Sequence, residues 1–139
     1  MKEKPSTKWP YSPTMYARAL AFAREYDVRK QEADEMIAQA PVMDGQPRGT
    51  KTSDPTAAAA IRRESVMAEI RIVDTALTTI PPKYRKGIFE NVVHMVPFYA
   101  LRLRGIVSEN TSNTTLSQHR ITFLMWICVL NGWEVWHSY

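Results

Sequence analysis

The sequence predicts an all-α protein: a long helical hairpin followed by a compact C-terminal helical unit. Three observations carry this. Apolar residues recur at spacings of three and four along most of the chain, while the alternating pattern of a half-exposed strand is scarce. Prolines stand where helices should start or stop, at Pro13, Pro41, Pro55, Pro81, Pro82 and Pro97. Hydrophobic residues make up 45% of the 139, enough to build a core and to argue against global disorder. The length fits one domain spanning residues 1–139.

Residues 1–11 hold Lys2, Lys4 and Lys8 with Pro5 and Pro10, and read as a mobile, solubilising basic arm. Trp9 and Tyr11 are expected to anchor its end. Ser12 can cap a helix with Pro13 at its first position, and the pattern runs to about Ala38. Met15, Ala19, Phe22, Tyr26, Ala33 and Ile37 mark its apolar face, and Pro41 stops it.

The segment from Asp44 to Thr56 is polar and punctuated by glycine and proline. The 41–54 connection exceeds the ordinary loop of about 4–6 residues, so a role beyond joining helices is expected. Arg48 and Lys51, beside flexible glycines, are candidates for contact with an anion or a partner. Ser53-Asp54-Pro55-Thr56 reads as a helix start.

The second helix should run from Pro55 to about Thr79, opening with four alanines. Val66, Ile70, Val73, Leu77 and Ile80 form an a/d seam of about two heptads. The expectation is antiparallel packing against the first helix, which with it makes the hairpin over 12–80. A homodimer along the seam is left open. The third helix, near Pro82 to Met95, lines up Tyr84, Ile88, Val92 and Met95. Its first turn carries Lys83, Arg85 and Lys86, against the preference of the helix macrodipole for acids. Such a cluster is either an anion site or a tolerated surface charge.

Residues 98–107 read as a short helix or turn before Gly105, and 108–115 as an irregular polar stretch. The last helix should span about Thr115 to Asn131, with Gly132 as its C-cap. It is apolar nearly all round, as in a helix buried on several sides. Trp133, Trp136 and Tyr139 follow and are candidates for contact with a partner.

No sequence motif points to catalysis. A phosphate-binding glycine loop, a nucleophile elbow and a paired-histidine metal helix are all absent. His94, His119, His137 and Cys128 have spacings that match no zinc pattern. The expectation is a protein that is not an enzyme and needs neither cofactor nor metal. A single cysteine excludes a disulfide framework and suggests a reducing compartment. The longest apolar run, Ile121 to Leu130, is too short to span a bilayer. No membrane association is expected, and the location inferred is the cytoplasm. The net charge of +4 and the pI near 9.3 permit a polyanion partner.

Two stretches resemble a known group of proteins. They are the segment from Asp44 to Ala57 and the segment Ile80-Pro81-Pro82-Lys83-Tyr84-Arg85-Lys86-Gly87-Ile88-Phe89-Glu90-Asn91-Val92. Together with Tyr26-Asp27-Val28-Arg29-Lys30 they resemble small prophage proteins grouped with the RinA-type and ArpU-type phage transcriptional regulators. The resemblance covers roughly residues 16–131. It implies a helical chain whose residues 81–139 form a helix-turn-helix similar to the promoter-reading domain of sigma factors. It also implies regulation of phage late genes by binding double-stranded DNA. The last helix would then be the recognition helix, with Thr115, Ser117, Gln118, His119 and Arg120 at base edges. Lys83, Arg85 and Lys86 would lie near phosphates. An alternative stands beside this one. Residues 105–139 hold a single basic residue, Arg120, and end in an aromatic tail. That pattern fits a phage protein that binds and modulates a host protein, such as RNA polymerase, a sigma factor or a defence nuclease, without reading DNA.

Overall fold

A computed structural model describes residues 3–38 and 55–133. Among them are six helices and no strand: α1 (Pro13–Arg24), α2 (Tyr26–Ala38), α3 (Pro55–Leu77), α4 (Pro82–Val93), α5 (Phe98–Leu103) and α6 (Asn113–Leu130). The all-α expectation holds for these residues.

The start of α1 is set by Ser12, whose hydroxyl accepts from the Met15 amide at 3.2 Å, and by Pro13 behind it. The continuous helix expected from Ser12 to Ala38 is instead two helices, broken at Glu25. No glycine or proline causes the break. The Phe22 carbonyl, which would bond the Tyr26 amide in an unbroken helix, takes the Glu25 amide at 3.3 Å and the Arg29 guanidinium at 2.8 Å. A side chain inserted into the backbone ladder is a recognised cause of a kink. Arg29 also bridges Glu25 and Glu69, each at 2.9 Å, which fixes it in place.

The break separates two packing jobs. α1 lies on α4 and α6, and α2 lies on α3. Along α2 and α3 the pairs are Tyr26 with Asp74, Arg29 with Glu69, and Glu32 with Arg62. As numbers rise on α2 they fall on α3, so the two helices run in opposite directions. The a/d seam of α3 is divided between two clusters. Val66 and Ile70 meet Ala33 in a small outer cluster, while Val73 and Ile80 enter the main core. The seam is therefore occupied within one chain.

At the centre of the core is α6. It packs against α1, α3 and α4, with Leu116, Phe123, Leu124, Ile127 and Cys128 fully buried. Each large side chain of this kind contributes roughly 1.5–3 kcal/mol relative to exposure.

The N-terminal arm is fastened rather than free along residues 3–11. The Trp9 ring is buried, donates to the Ser12 carbonyl at 3.0 Å, and meets Tyr11 and Tyr16 edge-on. Glu3 forms ion pairs with Arg24 at 2.6 Å and Arg120 at 2.7 Å. Lys4 and Lys8 remain exposed.

Candidate nucleic-acid interface

The start of α6 is built by Ser112. Its hydroxyl oxygen accepts from the Thr115 amide at 3.1 Å, so the helix opens at Asn113, two residues before the expected Thr115. Asn113, Thr114 and Gln118 are exposed, Thr115 and Ser117 are half-buried, and Leu116 is buried. The Thr115 hydroxyl accepts from Ser112 at 3.0 Å. One polar stripe therefore faces solvent at the first turns, anchored beneath by Leu116.

Beside it stands the first turn of α4. The Tyr84 ring stacks on His119 with centroids 4.5 Å apart, and the Lys83 ammonium lies 5.0 Å from the Tyr84 ring. Burial, and then the charge of Lys83, hold the His119 pKa below its ordinary value. His119 is thus a neutral, stacked ring at pH 7. Lys83 and Lys86 are exposed. Arg85 is directed elsewhere. Its guanidinium donates to the carbonyls of Ile80 at 2.9 Å and Thr78 at 3.2 Å, just past the end of α3. There a cation is favoured, so the charge that looked adverse for α4 serves the preceding helix.

Between the first turn of α4, the end of α5 and the loop over 105–111 lies a cleft of about 430 Å³, walled by Lys83, Tyr84, Arg102, Leu103, Glu109 and Thr111 among others. Arg102 joins α5 to the start of α6, donating to the Asn113 side chain at 2.7 Å and the Thr111 carbonyl at 3.3 Å. The chain leaves α5 through Gly105 at φ +71, a left-handed conformation suited to glycine. Arg104 is exposed beside it. The structure thus brings Thr115, Ser117, Gln118, His119 and Lys83 to one region.

Arg120 does not join them. Its side chain is only 13% exposed. It donates to the Asn91 side-chain oxygen, to the Tyr16 hydroxyl at 3.1 Å and to Glu3 at 2.7 Å. These bonds hold it between α1, α4 and the arm, away from a base edge. Asn91, Arg102 and Asn113 organise this region without a sequence motif that marks them. The one signal for Asn91 was a lone amide among Ile88, Val92 and Val93 on an apolar face.

Trp133 is half-buried, edge-on to Phe22 at 5.8 Å and under the Arg18 guanidinium at 3.9 Å. It is engaged with α1. Arg48, Lys51, Trp136 and Tyr139 lie outside the described residues. Burial pushes the Cys128 thiol up to about 11, so it is unreactive at neutral pH. Among the described residues no group of His, Cys, Asp and Glu could hold a metal ion, and no helix is long and apolar enough to cross a membrane. Comparison with protein-family models, curated proteins and solved structures finds no match to this chain.

Proposed function

We propose that this chain is a phage-type DNA-binding transcriptional regulator, not an enzyme, that offers the first turns of α6 to the major groove. In this reading α2 and α3 form a helical hairpin, and α4 to α6 a helix-turn-helix-like unit. The observation that carries it is the shared surface of Thr114 and Gln118 on α6 with Lys83 on α4, joined by the His119–Tyr84 stack at 4.5 Å. A recognition helix needs polar side chains at its N-terminal turns and cations at either side. Gln118 suits adenine, with its amide spanning N6 and N7. Lys83, Lys86 and Arg104 suit phosphates, and the α6 N-terminus adds a favourable dipole. A base contact by Arg120 has no place in this arrangement, because that guanidinium is held by Asn91, Tyr16 and Glu3.

The test is a gel-shift titration against DNA flanking the chain's own gene, at several salt concentrations. Binding should weaken steadily with salt, and Lys83→Ala should reduce the salt slope by about one. Gln118→Ala should relax preference at one base position, costing about 1–3 kcal/mol there. Absence of salt-sensitive binding would remove this reading.

A second reading rests on a separate observation. Met95, Tyr99 and Leu103 are 64%, 67% and 83% exposed and recur every four residues across the α4–α5 turn and α5. Such an apolar ridge fits binding to a host protein, and Tyr99→Ala would then impair that binding while leaving any DNA affinity unchanged.

A further inference from the structure

The solvent-facing stripe of α6 changes character along its length. It begins with Gln118 and Thr122 and continues with Trp126 and Val129, which are 41% and 43% exposed. Beside this apolar end, α3 and α6 leave a groove of about 310 Å³ lined by Ala68, Ile72, Thr75, Leu130 and the Arg71 side chain. Leu130 lies one turn beyond Trp126 on the same side of α6, so knob and groove share one face.

We propose that this face joins two copies of the chain about a two-fold axis, with Trp126 of each copy seated in the groove of the other. Three features favour a second copy over another partner. A face that carries both a part-exposed indole and a groove floored by Ala68, Ile72 and Leu130 is self-complementary, as a two-fold interface requires. The rim is charge-balanced, because Arg71 and Glu64 are both exposed and pair at 2.7 Å. Two such rims meet without like-charge repulsion, although the chain as a whole carries +4. The a/d seam of α3 is buried within the chain and is not free for self-association, whereas Ala68, Ile72 and Thr75 lie on another, open face of the same helix.

The interface leaves the first turns of α6 uncovered. Gln118 stands about 12 Å along the helix from Trp126. Under the DNA reading the dimer would present two such helices to an inverted repeat.

Sedimentation velocity of the full chain without DNA tests the inference, so its outcome is independent of DNA binding. The expected result is reversible conversion to twice the chain mass as concentration rises. Trp126→Lys, which removes the knob, and Ala68→Arg, which fills the groove, should each weaken dimerisation by roughly 30-fold. Both positions leave the fully buried core untouched, and circular dichroism would verify folding. A folded chain that is monomeric at every concentration overturns the proposal, whatever else covers the groove. So does a dimer indifferent to both substitutions in folded variants.

Discussion

The Arg120 guanidinium donates to the side-chain oxygen of Asn91, whose own amide donates to the Val96 carbonyl at 2.8 Å. One buried amide therefore ties the centre of α6 to the end of α4 and to the turn that follows it. Arg120→Ala would leave the Asn91 oxygen buried without its partner, remove the donor to Tyr16 and leave Glu3 with Arg24 as its remaining ion pair. An unsatisfied buried group costs about 1–3 kcal/mol, so urea unfolding should show a loss of about 2–3 kcal/mol for the whole network. Arg120→Lys should recover only part, since one ammonium cannot reach all three partners. A change within about 0.5 kcal/mol would mean that the network is idle.

His94 stands between two carboxylates from different helices, with Nδ1 3.0 Å from Glu90 and Nε2 2.5 Å from Asp27. Bonding to Glu90, and then to Asp27, raises its pKa above the ordinary 6.5. The protonated form is thus favoured in the folded chain. Its contribution to stability is complete below about 6.5 and disappears as pH rises through the raised folded value. His119 works in the opposite sense, because its lowered pKa gives stability above the unfolded value that is lost as pH falls through the folded one. Melting temperature against pH should show the first effect in the parent chain. In His94→Gln the decline above pH 6.5 should vanish, leaving the His119 trend. A profile unchanged by the substitution would refute the assignment.

Met95 adopts φ +58, the left-handed conformation that side chains with a Cβ disfavour. It sits where a helix end commonly places glycine, and the next amide, Val96, closes back on the Glu90 carbonyl at 3.1 Å. The side chain is largely exposed, so removing it forfeits little packing. Met95→Gly should stabilise the fold by about 1 kcal/mol in thermal or chemical unfolding. If the apolar ridge binds a host protein, the same substitution should weaken that binding.

A Cβ on Gly87 would stand 2.6 Å from a methyl group of Val107, which is itself buried. Alanine gains about 1 kcal/mol of helix propensity over glycine. Overpacking costs about 1–3 kcal/mol, and Val107 cannot swing into solvent to relieve it. The clash should prevail, and Gly87→Ala should lower stability by about 1–2 kcal/mol. The double variant Gly87→Ala with Val107→Ala should show strong non-additivity, which calorimetry can measure.

How far these relationships were legible in the sequence depended on their range. Ser12 with Pro13, and Pro82, announced helix starts because capping and proline chemistry act over one to three residues. At α6 the start expected near Thr115 lies two residues early, at Asn113, because geometry selects Ser112 from a run of polar residues as the cap. Arg85 looked adverse because its partners, the Ile80 and Thr78 carbonyls, belong to the preceding helix. The break at Glu25 carries no local signal; it depends on Arg29 being held by Glu69 of α3. The resemblance puts Arg120 at a base edge because it stands near the start of the last helix. Its partners Asn91, Tyr16 and Glu3 are distant in sequence, and only the fold brings them together.

The same break at Glu25 divides the molecule energetically. Beyond it, among the described residues, α2 and the first half of α3 share only Ala33, Val66 and Ile70 as buried residues, with Tyr26, Met36 and Met67 around them. Ion pairs such as Arg62 with Glu32 are exposed and add at most about 1 kcal/mol each. This outer pair of helices should therefore open as a unit while the rest stays folded. Native-state hydrogen exchange at low denaturant would find the amides of α2 released by partial opening, and those of α6 only by global unfolding. The chain should melt from its outer layer inward, and α6 should be the last helix to lose its protection.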